Sequence, residues 1–596
     1  MNWSCGFAHH CAVFAWRDGF DPWPGVCHSR RMNFDEAAAI LTASGAPFVI
    51  DEIMVRGAMT RVFRNCPPTL REVYAPNRER EGVFLVYEEE RWTFRDSMAG
   101  IDALAAVLVS EFGIAKGDRV AIGMRNYPEW VLSFAAITSI GAISVSLNAW
   151  WTTEEMDYAL GDCGAKVLIA DRERVERCAA SCTRLGIATL AVRLGETNPA
   201  TEAKLLRWEN VIPQAIAAGA TMPEVAIDPD DDATILYTSG TTGFPKGAVS
   251  THRAVTQALM AFGCRSAIDG IRKAANADPS VPVVPPADPT SFILIVPLFH
   301  VTGCVPVMLS CFFAGLKLVI MYKWEPELAL QLIERERVTN FVGVPTQSWD
   351  LLETPNFSKY DTSSLVAVGG GGAPAPPELV KRVANSFKSG RPQIGYGMTE
   401  TNAYGPANSG QDYIDKPSST GKAVPVIRVE VRNDEGKALG PNEIGEIWFN
   451  GPNLIRGYWN KPEATAETIV DGWLRSGDLG KTDDDGFIYV VDRAKDMVIR
   501  AGENVYCAEV EAAIYEHPSV MEAAVFGVPH ERLGEEVGVA VYCKEGHTIT
   551  VEEVQAVTRE KLANFKVPSK VWIVTEPLPR NPAGKFLKRE LRDTLV

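Results

Sequence analysis

Short apolar runs rich in β-branched residues recur along the chain from Arg119 onward. The first, RVAIGM (119–124), precedes PEWVLSFAAITSIG (128–141), whose apolar residues fall at helical spacing. KVLIA (166–170), ATLAV (188–192), ATILY (233–237), FILIVPL (292–298), LKLVIM (316–321), NFVGVP (340–345) and LVAVG (365–369) follow, most separated by a helical period. Strands that read apolar throughout are buried on both faces, so the pattern predicts an α/β fold of parallel sheets sandwiched by helices. Near Val426 the texture changes: RVEVRNDEGKALGPNEIGEIWFNG (428–451) carries Asn/Asp/Gly turns and predicts a small antiparallel region. After Asp492 come a hairpin-like VIRAGENVY (498–506), a helix from about Ala508, two strand runs, a helix near Val551 to Leu562, and KVWIV (570–574). This predicts a large unit, 32–491, a linker, 492–496, and a smaller α+β unit, 497–596. The proline- and alanine-rich stretch Ser266 to Thr290 reads as an exposed insertion.

A length of 596 residues allows two or more domains and a large core. Hydrophobic residues at 46% and charged residues at 22% suit a soluble globular chain, and no apolar run approaches membrane-spanning length. The net charge of −16 argues against nonspecific nucleic-acid binding and against an electrostatic anchor on anionic lipid. A small anionic substrate must then be held by local positive charge, so single lysines and arginines in loops become informative. Peripheral membrane contact and homodimerisation stay open. The 12 cysteines show no C-x-x-C spacing, which supports neither zinc ligation nor a disulfide framework and fits a reducing cytoplasm. Residues 1–31 concentrate Trp, Cys and His, and their apolar run CAVFAW is too short for a signal-peptide core. An amphipathic segment begins at Met32, so 1–31 is read as an artefactual or disordered leader.

The run TSGTTGFPKG (238–247) follows the apolar ATILY. Glycine lets amide N–H groups converge on one point and lets a ligand come close. The hydroxyls of Thr238, Ser239, Thr241 and Thr242 can donate to phosphate oxygens, and Lys246 adds a mobile positive charge. A Walker A loop is excluded, since Pro245 replaces its second glycine and Gly247 its magnesium-binding hydroxyl. A flexible surface loop is the plain alternative, although such a loop needs few hydroxyls between a strand and a helix.

Together TSGTTGFPKG (238–247), PLFHVTG (297–303), GGAP (371–374), GYGMTE (395–400), SGDLG (476–480), DRAKDM (492–497), AGENVY (501–506) and NPAGK (581–585) resemble the adenylate-forming superfamily, which includes acyl-CoA synthetases, peptide-synthetase adenylation domains and beetle luciferases. The order and spacing hold from about residue 90 to Lys585. In such enzymes a carboxylate attacks the α-phosphate of ATP and expels pyrophosphate. Both reactants are anions, so the protein neutralises charge and aligns them.

The resemblance implies that Thr238, Ser239, Gly240, Thr241, Thr242, Gly243, Lys246 and Gly247 embrace the β- and γ-phosphates. It implies that Glu400 ligates magnesium with Thr399 at the α-phosphate. Tyr396, within Gly395, Tyr396, Gly397 and Met398, would stack on adenine, with Gly371, Gly372, Ala373 and Pro374 on the opposite face. Asp478 and Arg493 would hold the ribose, and His300 would line the acyl pocket. Lys585 would swing onto the α-phosphate, Lys495 would be the hinge of a mobile C-terminal domain, and Gly502 would lie on the channel for coenzyme A. Cys507 stands where a proline is common, Arg500-Ala501 replaces the usual small pair, and Gly369 with Gly370 suggests a longer acyl tunnel.

The expected activity is acyl-CoA synthesis from a medium- or long-chain fatty acid, or similar hydrophobic acid, using ATP, Mg2+ and coenzyme A. An aryl, cyclic or steroid-side-chain acid is the alternative substrate class. A degenerate AMP-binding scaffold would have lost Glu400, Asp478 or Lys585, and all three are present. No G-x-D-S-L carrier attachment site follows Lys585, which is against a peptide-synthetase module.

Overall fold

A computed structural model describes residues 31–196, 203–238, 245–277, 287–373, 375–501, 503–580 and 586–596. Residues 1–30 of the expected leader, and Ser239, Gly240, Thr241, Thr242, Gly243, Pro374, Gly502 and Lys585, lie outside the described residues.

Two eight-stranded sheets form the body of the chain. The first runs in the order Gly457–Tyr458, Lys246–Thr251, Asp232–Thr238, Ile143–Ser146, Arg119–Gly123, Val167–Asp171, Ala188–Val192, Leu205–Arg207. It is parallel from Asp232–Thr238 onward and antiparallel at its first two pairings. The second runs Ala407–Ser409, Arg391–Gly395, Ala367–Gly371, Asn340–Gly343, Ser291–Leu294, Lys317–Ile320, Val83–Tyr87, Glu90–Thr93, parallel except at its two edges. Strands Ile143–Ser146 and Val167–Asp171 bury every residue, which is why the second reads as a near-continuous apolar run. Helix Pro128–Ser139 is buried on all sides, and a single core joins it to strands of both sheets. Its Trp130 stacks on Phe134 at 5.5 Å. A helix apolar all round can only sit between layers.

A five-stranded antiparallel sheet follows, with Arg428–Arg432 paired to Gly445–Asn450, then Trp473–Thr482 carrying Ile469–Val470 and Ile488–Arg493. The last sheet holds Glu503–Val505, Val498–Arg500, Gly534–Cys543 and Val520–His530, with Lys570–Val574 parallel to Gly534–Cys543. Helices Cys507–Tyr515 and Val551–Lys561 pack with it, Val510, Ile514 and Val554 lying in its core.

Three expectations need correction. The stretch Ser266 to Thr290 is not one exposed insertion: helix His252–Ala275 runs through its first part. No proline comes before Pro279 in this stretch, and although Gly270 disfavours a helix, Ile268 is buried and Arg272 pairs with Asp412 at 2.7 Å, so tertiary contacts carry the helix onward. The TSGTTGFPKG run does not lie between a strand and a helix; it joins two antiparallel strands, with Thr238 opposite Lys246. Ala248 and Val249 are buried in the second strand, and the helix starts only at His252.

Gly369 and Gly370 do not open a longer tunnel either. A Cβ on Gly370 would stand 1.7 Å from the carbonyl oxygen of Gly343, and one on Gly369 would stand 2.0 Å from that of Gln393. Neighbouring backbone fills the space, and backbone cannot move aside as a side chain can. Overpacking typically costs ~1–3 kcal/mol. Gly370→Ala is therefore expected to lower the urea unfolding midpoint by at least that equivalent, with an unchanged slope. A midpoint equal to wild type would show that the strands at 340–343 and 367–371 can part freely.

Candidate active site

The residues singled out by the motifs gather where strands of both large sheets end. Thr238, Gly371 and Gly395 each close a strand, and the PLFH segment leaves strand Ser291–Leu294. In open α/β sheets this carboxyl edge is where ligands are bound.

The hairpin is closed at its mouth by Thr238, whose hydroxyl donates to the Lys246 carbonyl at 3.3 Å. The Lys246 ammonium lies 5.2 Å from the centre of the Tyr458 ring. Gly247 sits inside the strand, where a Cβ would come within 2.7 Å of Ile235, so its glycine answers to packing.

Glu400 lies in the short turn Thr399–Thr401 and is only 9% exposed. The turn is followed by Asn402 and Ala403, both left-handed at φ 50° and 63°. Such backbone is costly for non-glycine residues and persists only when its surroundings over-determine it. Here Asn453 supplies that: its amide donates to the carbonyls of Thr401 at 2.7 Å and Tyr404 at 3.0 Å, and its own carbonyl accepts from Asn402 at 2.9 Å. The Ile455 N–H donates to the Glu400 carbonyl, and the Tyr458 hydroxyl donates to Glu400 Oε1 at 2.7 Å. Burial, and then the Glu400 carboxylate, push the Tyr458 phenol well above its ordinary pKa, so it remains a donor at neutral pH.

Asp478 is aimed by a bulge. Between the pairs Glu446–Leu479 and Trp448–Arg475, Ile447 alone faces Ser476, Gly477 and Asp478, and Gly477 is left-handed at φ 72°. The Tyr396 hydroxyl donates to Asp478 Oδ2 at 2.6 Å, and Arg493 Nε stands 3.8 Å from Oδ1. Burial and the neighbouring Asp478 raise the Tyr396 phenol far above its usual range. Tyr396, Asp478 and Arg493 are thus brought together, as are Lys246 and Glu400. Gly397 must be glycine, since a Cβ would meet the Ala403 carbonyl at 2.4 Å. Thr399 and Met398 flank the Glu400 turn, and Gly372 and Ala373 continue beyond the strand that ends at Gly371.

His300 is partly buried, its ring 5.0 Å from that of Phe299, which in turn meets Trp150 edge-on at 5.1 Å. Asn126 fixes this segment, donating to the carbonyls of Val296 and Met321 at 3.1 Å each and accepting from the Leu298 N–H at 2.9 Å. The following helix widens into a π turn over Gly303–Leu309, which accommodates the missing N–H and bulky ring of Pro306. A Cβ on Gly303 would lie 2.3 Å from the Pro297 carbonyl oxygen, which accounts for the glycine of PLFHVTG.

Lys495 lies in the turn between strands Ile488–Arg493 and Val498–Arg500, with burial and Arg493 lowering its ammonium's affinity for the proton. Cys507 opens helix Cys507–Tyr515, and its N–H donates to Asp492, a bond that the commoner proline would not make. Arg500 pairs with Glu503 across a tight turn in which Ala501 is left-handed at φ 53°. Tyr458, Asn453 and Asn126 are the site residues that motif reading missed. Tyr458 carries a faint signal, standing in the aromatic GYW directly after Arg456.

Residues 73–459 match the AMP-binding enzyme family, and residues 509–585 match the AMP-binding enzyme C-terminal domain. The chain is 34% identical over 510 residues to the long-chain-fatty-acid–CoA ligase FadD13 of Mycobacterium tuberculosis, covering 85% of this chain and 94% of that one. It is 36% identical over 487 residues to a feruloyl-CoA synthase of Amycolatopsis, covering 80% and 89%. Among solved structures, ATP-bound MatB of Rhodopseudomonas palustris superposes with a TM-score of 0.76 at 30% identity, covering 88% of this chain and 98% of that one. Motif geometry, sequence and fold agree: the chain belongs to the AMP-binding enzyme family of adenylate-forming enzymes.

Proposed function

We propose that the protein is an AMP-forming acyl-CoA synthetase acting on a medium- or long-chain fatty acid or similarly hydrophobic acid. The observation that carries this reading is the meeting of the Lys246 hairpin and the buried Glu400 at Tyr458, where strands of the two large sheets end, together with the tyrosine–aspartate pair beyond strand Arg391–Gly395. The acid's carboxylate attacks the α-phosphorus of ATP, the bond to pyrophosphate breaks, and acyl-AMP forms. The CoA thiol then attacks the acyl carbonyl and AMP leaves with the C–O bond's electrons. The chain itself need supply no nucleophile. Its tasks are to hold the triphosphate through the hairpin and Lys246, to grip the ribose through Asp478, and to bring Lys585 to the α-phosphate.

The donor set at Glu400 fits magnesium. It is one buried carboxylate, and among the described residues no group of three acidic, histidine or cysteine side chains is placed to cage a metal. Magnesium in nucleotide sites takes one or two carboxylates, with phosphates and water filling its octahedron. When bound, it would neutralise charge on the phosphate oxygens.

The chain around His300 is apolar, which favours an apolar acid, with Val296, Leu298, Val301, Val305 and Met308 packed in the core on either side of it. A relative active on fatty acids supports the aliphatic reading, and the likeness to a feruloyl-CoA synthase favours an aryl acid as the second reading. Among the described residues no helix is long and apolar enough to cross a membrane. A cytoplasmic setting suits ATP and CoA as substrates.

Incubation with ATP, magnesium, CoA and a panel of acetate, octanoate, palmitate and ferulate tests the reading. AMP, pyrophosphate and acyl-CoA are expected, with octanoate exceeding acetate by orders of magnitude in kcat/KM, since each buried methylene contributes ~0.8 kcal/mol. ADP as product would contradict the α-phosphate mechanism, equal kcat/KM for acetate and octanoate would contradict the apolar pocket, and a preference for ferulate would establish the aryl reading.

The two half-reactions separate Lys585 from Lys495. Lys585→Ala is expected to slow adenylation by ~10²–10³ while supplied acyl-adenylate still reacts with CoA. A hinge works by changing φ and ψ, and proline locks φ near about −65°. Lys495→Pro is therefore expected to keep single-turnover pyrophosphate release and to lose thioester formation by at least about tenfold, ~1.4 kcal/mol of barrier. Equal effects on both half-reactions, with unchanged thermal melting, would refute these roles.

A further inference from the structure

Residues Asn453–Trp459 touch two parts of the site at once. On one side Asn453 and Ile455 clasp the backbone of the Glu400 turn. On the other, the Arg456 N–H donates to the Val249 carbonyl at 2.9 Å, Gly457 and Tyr458 pair with Val249 and Ala248, and the Trp459 N–H donates to the Gly247 carbonyl at 2.7 Å. Arg456 adds a two-pronged ion pair to Asp232, at the far end of the hairpin's first strand. The segment is a strap between the hairpin that carries Lys246 and the turn that carries Glu400.

Tyr458 is where the strap's side chains reach the chemistry. Its hydroxyl donates to Glu400 Oε1 at 2.7 Å, while the Lys246 ammonium lies over its ring. Its own N–H donates to Thr465 Oγ1 at 2.9 Å, and it is 9% exposed, so the ring has little freedom. The hydroxyl holds Oε1 and so fixes the orientation in which the carboxylate faces a cation. The ring face holds an ammonium that would otherwise be drawn to the same carboxylate. A direct Lys246–Glu400 ion pair would cancel the two charges on which phosphate and cation binding depend.

We propose that Tyr458 is a positioning residue that keeps Lys246 and Glu400 apart and aimed, so that one meets the phosphates and the other faces the cation in a fixed orientation. This rests on the assignment of Glu400 to magnesium made above. Tyr458 acts through Lys246 and Glu400.

The test uses Mn2+ as an EPR-visible stand-in, titrated into full-length protein with α,β-methylene-ATP. Losing a hydrogen-bond partner behind a metal ligand typically costs ~10–100-fold in metal affinity. Tyr458→Phe is expected to weaken Mn2+ binding by at least about tenfold on that basis, to leave metal-free analogue binding and thermal melting unchanged, and to regain pyrophosphate release at high Mg2+. Tyr458→Leu is expected to weaken metal-free analogue binding as well, because Lys246 loses its ring, and to resist rescue by Mg2+. Superimposable Mn2+ curves for wild type and Tyr458→Phe would overturn the inference alone. A wild-type protein whose analogue binding ignores Mn2+ would overturn the magnesium assignment and this inference together. A loss of melting temperature and of both half-reactions in Tyr458→Phe, with no shift in the Mn2+ curve, would make Tyr458 a packing residue only.

Discussion

The candidate site depends on the pairing of Asn453–Trp459 with both the hairpin strand Lys246–Thr251 and the turn at Glu400. The hairpin belongs to the first large sheet, whereas the turn follows Arg391–Gly395 of the second. The edge strand Gly457–Tyr458 of the first sheet, with the residues leading into it, spans the two. The strap does so with backbone N–H groups, the Asn453 amide on two carbonyls of the turn, and one buried phenol. Directional hydrogen bonds in a buried setting fix a geometry that apolar packing alone would leave looser.

The same economy governs charge. A protein with a net charge of −16 must bind a triphosphate and a carboxylate in the same place. It places cations near the ends of strands and restrains two of them, Lys246 by its aromatic face and Arg493 by the nearby Asp478. Long flexible cations held this way lose less freedom when a substrate arrives. The aromatic hydroxyls beside the acids complete the scheme, since Tyr396 and Tyr458 stay protonated next to Asp478 and Glu400 and so steer those carboxylates without competing for the ligands.

What the sequence reveals follows from these constraints. Strands buried on both faces, such as Val167–Asp171, leave no polar alternative and read plainly as apolar runs. The hairpin Ile50–Val55 with Ala58–Phe63 went unread because it is only partly covered; Met54 and Met59 lie exposed opposite each other, and the alternation is blurred. Lys246–Thr251 is a strand because its partners on both sides demand one, and a run as short as KGAVST shows no period of its own. The extension of helix His252–Ala275 rests on Arg272 and Asp412, which are far apart in the chain. Glycines were legible as special but not in their reasons: those at 369, 370 and 397 answer to neighbouring backbone, whereas Gly477 answers to a bulge. Glu400, Asp478 and Tyr396 stand in motifs that name them, whereas Tyr458 becomes visible only when the fold brings Glu400 and Lys246 to it.

Carboxylate attack on the α-phosphorus can be followed atom by atom. Octanoate labelled with 18O in both carboxyl oxygens, turned over with ATP and CoA, is the most direct test. Attack by the carboxylate leaves one labelled oxygen on phosphorus when the thiol displaces AMP, so the AMP should carry a single 18O and the pyrophosphate none. Label in inorganic phosphate or pyrophosphate, or unlabelled AMP alongside acyl-CoA, would contradict it.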